Sequence, residues 1–209
     1  MIVKVCGVRT AEIANTAVEA GADWIGLVFV PASPRHVQDE EAGQVAAAVK
    51  GRADLIGVFV DPTLDELESA VERFGLAGVQ VHGRVRRELA ERCSVMVIPG
   101  INPHSPREAF TVDWWPDLPV LLDSAGEHGQ LPGGTGRRAA VDCAREVARH
   151  RPIVLAGGLS GSNVQEAVRA VRPWGVDASS RLESSPGVKD GALVVDYVQR
   201  ARVAVAGVA

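Results

Sequence analysis

The feature of this sequence that most restricts its fold is a regular alternation of short apolar runs with longer segments of helical periodicity. The apolar runs are rich in β-branched residues and nearly continuous, as expected for parallel strands that are covered on both faces. The alternation predicts parallel βα units from one end of the chain to the other. The eight predicted strands are Ile2–Cys6, Trp24–Phe29, Leu55–Val60, Gly78–Val81, Val95–Ile98, Val120–Leu122, Ile153–Leu155 and Gly175–Asp177.

The segments that follow these strands have apolar residues at helical spacing. The predicted helices are Thr10–Ala20, Glu40–Val49, Leu64–Phe74, Arg84–Arg92, Ser105–Val112, Arg138–Arg149, Ser162–Val171 and Gly191–Val203. Thr10, Asp39 and Thr63 are suitable N-cap residues for three of them. Eight βα units in 209 residues match the lower size range of a (β/α)8 barrel.

A doubly wound open sheet is the alternative architecture, but it usually contains fewer strands. No linker rich in Pro, Gly or Ser and no break in composition divides the chain in two. The fifth unit fits least well, because Pro99, Pro103 and Pro106 crowd its loop. We therefore expect an α/β protein with one (β/α)8 barrel domain over residues 1–209.

Charge, hydropathy and cysteine content limit the partners of the chain. Twenty-two Lys and Arg against 26 Asp and Glu give a net charge of −4, too mild and too mixed for a nucleic-acid or membrane-surface binder. No apolar run approaches the ~20 residues that cross a bilayer. The three cysteines are Cys6, Cys93 and Cys143, which form neither a CxxC pair nor a zinc-type spacing. We expect a cytoplasmic protein with a small-molecule partner and no metal.

Functional residues of such a barrel are expected at the C-terminal ends of its strands. Cys6 ends the first predicted strand and Asp123 follows the sixth, so the two would face each other across one pocket as an acid/base pair. Taken singly, Cys6 is more simply a small buried hydrophobe, and Asp123 a loop cap. Arg35 ends the rigid Pro31–Arg35 segment, where it would offer a guanidinium to a substrate carboxylate or be an ordinary surface arginine. His82 is more simply a packed structural histidine.

The segments after strands seven and eight predict a phosphate site, because backbone N–H groups and a helix N-terminus there favour an anion. Gly157 and Gly158 follow strand seven, and Ser179-Ser180 follows strand eight. A simple turn and a helix cap are the alternative, but their joint placement favours phosphate binding. Gly133–Gly136 overlaps a formal GxGxxA match over Gly134–Ala139, yet the glycines lie about ten residues beyond the preceding strand and lack the acidic residue that follows a dinucleotide motif. A loop that adds backbone donors is the better interpretation, and a plain flexible turn is the alternative.

Seven segments carry a resemblance to one known family. They are Lys4–Gly7, Ser33–Arg35, Val79–Gly83, Leu122–Ser124, Gly133–Gly136, Leu155–Leu159 and Ser179–Asp190, the last of which ends in the stretch ESSPGVKD. In this order, and over almost the whole chain, the sequence resembles the phosphoribosylanthranilate isomerases of tryptophan biosynthesis. The combination of the Cys-Gly start with ESSPGVKD is highly specific.

The resemblance implies a (β/α)8 fold and an Amadori rearrangement of N-(5'-phosphoribosyl)anthranilate to 1-(2-carboxyphenylamino)-1-deoxyribulose 5-phosphate, without cofactor or metal. Asp123 matches the family's general acid, which protonates the furanose ring oxygen. Cys6 matches the general base, which removes the proton from sugar C2'. Arg35 matches the residue that holds the anthranilate carboxylate. The residues in the phosphate-binding segments are Gly134, Gly157, Gly158, Ser180 and Arg181.

Some positions depart from the family pattern. Arg181 stands where a small residue is common, and we expect its side chain to pair with the phosphate; Arg84 and Arg138–Ala140 also differ. The catalytic roles require Asp123 to be protonated near neutral pH and Cys6 to be a thiolate, which a nearby positive charge would favour. Two other functions stay open: an isomerase or epimerase of another phosphorylated sugar, and a non-catalytic paralogue that binds a phosphorylated metabolite or a protein. We expect a monomer or a homodimer.

Overall fold

The computed structural model of the chain describes residues 1–102, 118–123 and 135–206. Eight parallel strands close into a barrel, in which each strand pairs with the next along the chain and the eighth pairs with the first. The strands are β1 (Ile2–Cys6), β2 (Trp24–Val28), β3 (Asp54–Val60), β4 (Gly78–His82), β5 (Met96–Ile101), β6 (Val120–Asp123), β7 (Ile153–Ala156) and β8 (Gly175–Ala178). A short antiparallel hairpin follows, formed by β9 (Glu183–Ser185) and β10 (Val188–Lys189).

Helices connect the strands on the outside of the barrel. They are α1 (Ala11–Ala20), α2 (Asp39–Val49), α3 (Leu64–Phe74), α4 (Arg87–Arg92), α5 (Thr135–Ala148), α6 (Val164–Val171) and α7 (Gly191–Ala206), with a 3-10 turn at Ser180–Leu182. The predicted helix Ser105–Val112 lies outside the described residues. None of the described helices is long and apolar enough to span a membrane.

The (β/α)8 prediction is confirmed, and most strand boundaries agree to within one residue. Strand β5 is the exception: the prediction ended it at Ile98 and placed Pro99 in the following loop, whereas the strand continues to Ile101. Proline cannot donate a ladder hydrogen bond, which makes Pro99 a natural stop signal in a sequence. In the barrel, Gly100 and Ile101 extend the strand beyond it by pairing with β6. The extent of the domain over all of residues 1–209 stays a prediction.

Two of the three predicted helix caps are confirmed. The Thr10 hydroxyl accepts a hydrogen bond from the backbone N–H of Ile13, and the Thr63 hydroxyl accepts one from Glu66. The prediction that Asp39 caps α2 is wrong. Gln38 holds that position, and its backbone N–H donates to the Glu41 side chain, so the helix already begins at Asp39.

The first residues of two helices differ from those that the sequence pattern predicts. Helix α4 begins at Arg87, three residues later than predicted, whereas α5 begins at Thr135, three residues earlier. Helices fray at their ends, and charged residues such as those at the start of α4 carry little information on where a helix begins. The strands are fixed more tightly because their partners on both sides impose the register.

The strands bury both of their faces. Outward side chains such as Val3, Val5, Ile25 and Leu27 belong to one large core cluster that also contains buried residues of the helices, among them Tyr197. Inward side chains fill the barrel itself. Because successive side chains of a strand alternate between the two faces, the predicted runs had to be apolar at nearly every position.

The interior of the barrel is layered. The apolar layer at the N-terminal end contains Trp24, Ile56, Ile98, Leu121 and Val154. A smaller apolar cluster near the other end is formed by Cys6, Val28 and Val58. Three buried polar side chains also lie on the inner face, and they are Lys4, Gln80 and Asp177. These polar groups lie on the floor of the site.

Candidate active site

A cavity of about 240 Å³ opens at the C-terminal ends of the strands. Its lining includes six of the eight residues that the sequence indicated, namely Cys6, Arg35, Asp123, Gly157, Gly158 and Ser180. Arg181 is not part of the lining, and Gly134 lies outside the described residues. The barrel therefore brings together residues from β1, β6 and the segments that follow β2, β7 and β8, which are far apart in the sequence.

Cys6 ends β1 and is 7% exposed. Its neighbour in β2 is Gly26, where an added Cβ would lie 2.9 Å from the Cys6 sulfur, so the glycine makes room for the thiol. The Ser179 hydroxyl donates to the Cys6 carbonyl oxygen at 3.0 Å and ties the end of β1 to the segment after β8. The backbone of Cys6 is thus fixed, and the residue lines the cavity.

A buried ion pair lies beneath this thiol. Lys4 precedes Cys6 by two residues and therefore points to the same inner face of β1. Its ammonium group donates to Asp177 Oδ2 at 3.0 Å and to Gln80 Oε1 at 2.7 Å. The Lys4 side chain is 1% exposed and that of Asp177 8% exposed, so the pair is desolvated. We call Lys4, Gln80 and Asp177 the floor of the cavity.

Burial and the floor charges act in opposite directions on the thiol. Burial raises the pKa of Cys6 above 9.0, the positive charges of Lys4 and Lys189 oppose this rise, and the negative charge of Asp177 adds to it. The positive charge that the sequence required is present, but burial outweighs it, so the thiol is protonated at neutral pH. Burial acts against the charge of Lys4 as well, yet Asp177, by its charge and its hydrogen bond, and Cys6, in its ionised form, raise the pKa of Lys4 above its ordinary value. Lys4 therefore keeps its positive charge.

The floor also sets the state of His82. Burial, with a smaller contribution from Lys4, lowers the pKa of His82 below 6.5, so the ring is neutral at pH 7. Gln80 Oε1 already accepts from Lys4, so the Gln80 amide nitrogen is the donor in its 2.7 Å contact with His82 Nε2. The ring proton therefore lies on Nδ1. His82 packs against Gly100, where a Cβ would collide with the ring, and it also lines the cavity.

Asp123 approaches the cavity from a different side of the barrel. It ends β6, where it pairs in register with Ala156 of β7, and it is partly exposed. In its ionised form Asp123 acts on Asp177, because its negative charge raises the pKa of Asp177 in addition to the larger effect of burial. Cys6 and Asp123 thus stand on non-adjacent strands and share one cavity, as an acid/base pair requires.

Arg35 forms the rim of the cavity with two residues that the sequence gave no role. Its Nε and Nη2 donate to the two carboxylate oxygens of Glu183 at 2.7 and 2.8 Å. Lys189 donates to the same carboxylate at 2.5 Å. Burial alone would raise the pKa of Glu183, but Arg35 and Lys189 more than offset this effect and hold it below 4.5. We call Arg35, Glu183 and Lys189 the rim.

The two candidate phosphate segments have unusual backbone conformations. Gly157 and Gly158 have φ angles of 99° and 66°, in the left-handed region that residues with a Cβ rarely adopt. The Asn163 side chain donates to the Gly158 carbonyl at 2.9 Å and fixes this turn. Ser180 opens the 3-10 turn after β8. Both segments line the same cavity as Cys6.

Residues 3–200 match the family model described as N-(5'phosphoribosyl)anthranilate (PRA) isomerase. The chain belongs to the PRA isomerase family. A protein named N-(5'-phosphoribosyl)anthranilate isomerase from Roseiflexus sp. (strain RS-1) is 43% identical over 213 residues, which cover 97% of this chain and 98% of that protein. The namesake from Halorhodospira halophila is also 43% identical, over 90% of each chain.

Solved structures of PRA isomerases have the same fold. The crystal structure of the enzyme from Thermotoga maritima superposes with a TM-score of 0.87 at 31% identity, covering 97% of this chain and 100% of that one. A PRA isomerase in complex with reduced 1-(o-carboxyphenylamino)-1-deoxyribulose 5-phosphate has a TM-score of 0.82 at 30% identity, with the same coverage.

Sequence reasoning gave no role to the floor or to two residues of the rim. The signal for the floor was present in the strands, because Lys4, Gln80 and Asp177 are polar residues at inward positions of otherwise apolar runs. A buried ionisable group needs a partner, so such positions indicate a paired interior site. Glu183 and Lys189 belong to the ESSPGVKD stretch, which the resemblance used only as a marker of the family.

Arg181 is not grouped with the other candidates. Its side chain is exposed, and within the described part of the chain it has no hydrogen bond or ion pair. Its expected contact with the phosphate stays a prediction, as does the role of Gly134.

Proposed function

We propose that this protein catalyses the isomerisation of N-(5'-phosphoribosyl)anthranilate to 1-(2-carboxyphenylamino)-1-deoxyribulose 5-phosphate, an Amadori rearrangement of tryptophan biosynthesis. The observation that carries the proposal is one cavity, in a chain of the PRA isomerase family, that contains Cys6, Arg35 and Asp123 together. The substrate is an aminoaldose with a phosphate at one end and an aromatic carboxylate at the other. The cavity offers a suitable group for each reacting or anchoring part.

Asp123 acts as the general acid and Cys6 as the general base. Asp123 transfers its proton to the furanose ring oxygen, the bond between that oxygen and C1' breaks, and a Schiff base forms. The Cys6 thiolate then removes the proton from C2', which gives an enolamine that tautomerises to the ketone. Positioned acids and bases of this kind each contribute about 100- to 10,000-fold to a rate.

The floor supports the base. A thiolate in a buried pocket needs a nearby positive charge. Lys4 supplies it from a position that Asp177 and Gln80 already fix, so its side chain does not have to move when Cys6 is ionised. Because the thiol form predominates at neutral pH, the rate of proton removal depends on how far Lys4 and Lys189 stabilise the small thiolate fraction. Neutral His82 adds no further positive charge.

The ends of the substrate are held by two different kinds of group. Arg35 binds the anthranilate carboxylate through charge-assisted hydrogen bonds. Backbone N–H groups around Gly157, Gly158 and Ser180 bind the phosphate, with Gly134 and Arg181 as further candidates. Recognition of a carboxylate favours this substrate over phosphorylated sugars that lack one.

A steady-state fluorescence assay with freshly generated phosphoribosylanthranilate tests the proposal. Wild-type protein is expected to turn the substrate over, and Cys6→Ala and Asp123→Ala are each expected to lose about 100- to 10,000-fold in kcat/KM. Cys93→Ala is the matched control, since Cys93 is a half-buried thiol that does not line the cavity.

Absence of turnover by the folded wild type would overturn the proposed reaction. Turnover near wild type in Cys6→Ala or Asp123→Ala, with circular dichroism unchanged, would instead overturn the role of that residue alone. The expected monomer or homodimer is checked separately by light scattering.

A further inference from the structure

We propose that the hairpin Glu183–Lys189 positions Arg35 for the substrate carboxylate, with Glu183 as the positioning residue. This inference rests on the proposed function, because it assumes that Arg35 meets a carboxylate on the ligand. It also gives a role to the ESSPGVKD stretch, which lies outside the barrel strands and contains none of the proposed acid, base or phosphate groups.

The guanidinium of Arg35 has two edges that each present a pair of N–H donors to a carboxylate. Glu183 occupies the edge formed by Nε and Nη2, at 2.7 and 2.8 Å. Nη1 makes no hydrogen bond to any of the residues that the structure describes. The edge formed by Nη1 and Nη2 is therefore available for a second carboxylate, and Glu183 decides which edge that is.

The hairpin is fitted closely to the loop that carries Arg35. Gly187, at its turn, has a φ of +82°, and an added Cβ would lie 2.1 Å from the Pro34 carbonyl oxygen. The Gly187 N–H donates to Glu183 Oε2 at 3.3 Å. On the other side, Gly7 leaves space for the Arg35 stem, since a Cβ there would lie 2.8 Å from Arg35 Cδ. Arg35 is thus enclosed between the end of β1 and the hairpin.

The charges of the rim leave one positive charge for the ligand. Two cations, Arg35 and Lys189, share the single carboxylate of Glu183. The side chains of Glu183 and Lys189 are 4% and 2% exposed, whereas that of Arg35 is 24% exposed. The surplus positive charge is accordingly presented through Arg35, the one member of the rim that lines the cavity.

Positioning of this kind changes ligand binding more than the chemical step. A free arginine side chain loses rotamer freedom when it binds, and a guanidinium already fixed by Glu183 has lost that freedom beforehand. The contact to the nonreacting carboxylate is present in both the ground state and the transition state, so it lowers KM and leaves kcat nearly unchanged.

The first test is Glu183→Gln, which keeps the size of the side chain and removes its charge. We expect the KM for phosphoribosylanthranilate and the Kd for the carboxylated product to rise about tenfold, with kcat changed less than threefold. Affinity for inorganic phosphate stays the same. Glu88→Gln is the matched control, because Glu88 pairs with Arg92 on the exposed surface of α4.

The second test repeats the substitution in an Arg35→Met background. If Glu183 acts through Arg35, Glu183→Gln has no further effect there on product affinity. An equal rise in Kd in both backgrounds would mean a merely structural role, and an unchanged or lower Kd in the single variant would mean that Glu183 competes with the ligand. Either result overturns the inference.

A further variant and a binding measurement that needs no turnover complete the test of Glu183. Should Glu183→Gln fail to fold, Glu183→Asp retains the charge but is too short to keep both oxygens on Arg35, and an intermediate rise in Kd is expected. Product binding is measured by calorimetry without turnover, so failure of the wild type to react tests the proposed function and leaves the test of Glu183 standing.

Discussion

The floor and the rim of the cavity are both built on a desolvated ion pair, but they come from different kinds of structure. The floor residues Lys4, Gln80 and Asp177 all lie on barrel strands, whereas the rim residues Arg35, Glu183 and Lys189 lie in the segments that follow β2 and β8. The floor pairs one cation with one carboxylate; the rim pairs two cations with one.

The difference indicates two separate tasks. Charges on the floor are fixed by strand register and closed off from solvent, so they act on the groups above them, above all Cys6. The rim has a surplus positive charge and a guanidinium that is partly open to solvent, which suits recognition of an anion that arrives from outside. The floor thus acts on the reacting group, whereas the rim contributes to both tasks, because Arg35 faces the arriving ligand and Lys189 adds to the positive charge that favours the Cys6 thiolate.

The largest expected effect comes from removing the cation of the floor. Lys4→Met leaves the Asp177 carboxylate buried without its partner, and breaking a buried pair in this way costs about 3–5 kcal/mol. The free energy of unfolding, measured by urea denaturation, is expected to fall by that amount. The double variant Lys4→Met/Asp177→Leu removes both charges and is expected to recover most of the loss.

If the free energy of unfolding falls by less than about 1 kcal/mol in Lys4→Met, Lys4 and Asp177 are not a tightly coupled ion pair. The comparison variant is Arg87→Met, which breaks an exposed i,i+4 pair with Glu91 on α4. Exposed pairs of this type contribute only about 0.3–0.5 kcal/mol.

The second effect concerns the thiol itself. Lys4 lowers the pKa of Cys6 against the larger effect of burial, so its removal raises that pKa further. We expect the pH at which Cys6 becomes reactive to alkylation to move upward in Lys4→Met. Mass spectrometry of the Cys6 peptide over a pH series measures this shift.

The Cys93 peptide of the same samples is the internal control, and its profile is expected to stay in place. A Cys6 alkylation profile that stays in place, or that moves to lower pH, would show that Lys4 does not lower the pKa of the Cys6 thiol.

The smallest effect is expected beyond the rim, at Arg181. Its side chain is exposed and does not line the cavity, so Arg181→Gly is expected to change the affinity for inorganic phosphate by less than about twofold. Calorimetric titration at two salt concentrations checks this. A loss of about tenfold or more that is screened by salt would instead support the phosphate contact that the sequence predicts.

The strands and many helix boundaries were accessible from the sequence because they depend on local patterns. The run Ile2–Cys6 is apolar apart from one lysine, and it was predicted to its observed limits. Errors arose where a local signal was ambiguous, as at Pro99, or where two adjacent residues compete for one cap, as at Gln38 and Asp39. Cys6 and Asp123 were found because strand ends of a barrel converge on one pocket.

The partners of these residues were not accessible in the same way. Lys4 and Asp177 are 173 positions apart and meet only because β8 closes the barrel against β1 in register. Arg35 and Glu183 are 148 positions apart and meet only because the hairpin packs on the loop after β2. Neither contact has a periodicity or a spacing that a sequence pattern can express.

The sequence by itself determined the order of the βα units, the two-sided burial of the strands and the chemical groups at the strand ends. Each of these depends on residues that lie close together in the sequence. The tertiary structure alone decided how those groups behave. Whether the Cys6 thiol gains or loses its proton depends on the balance between desolvation and the charges of Lys4, Lys189 and Asp177. That balance exists only after the barrel has closed and excluded water from its interior.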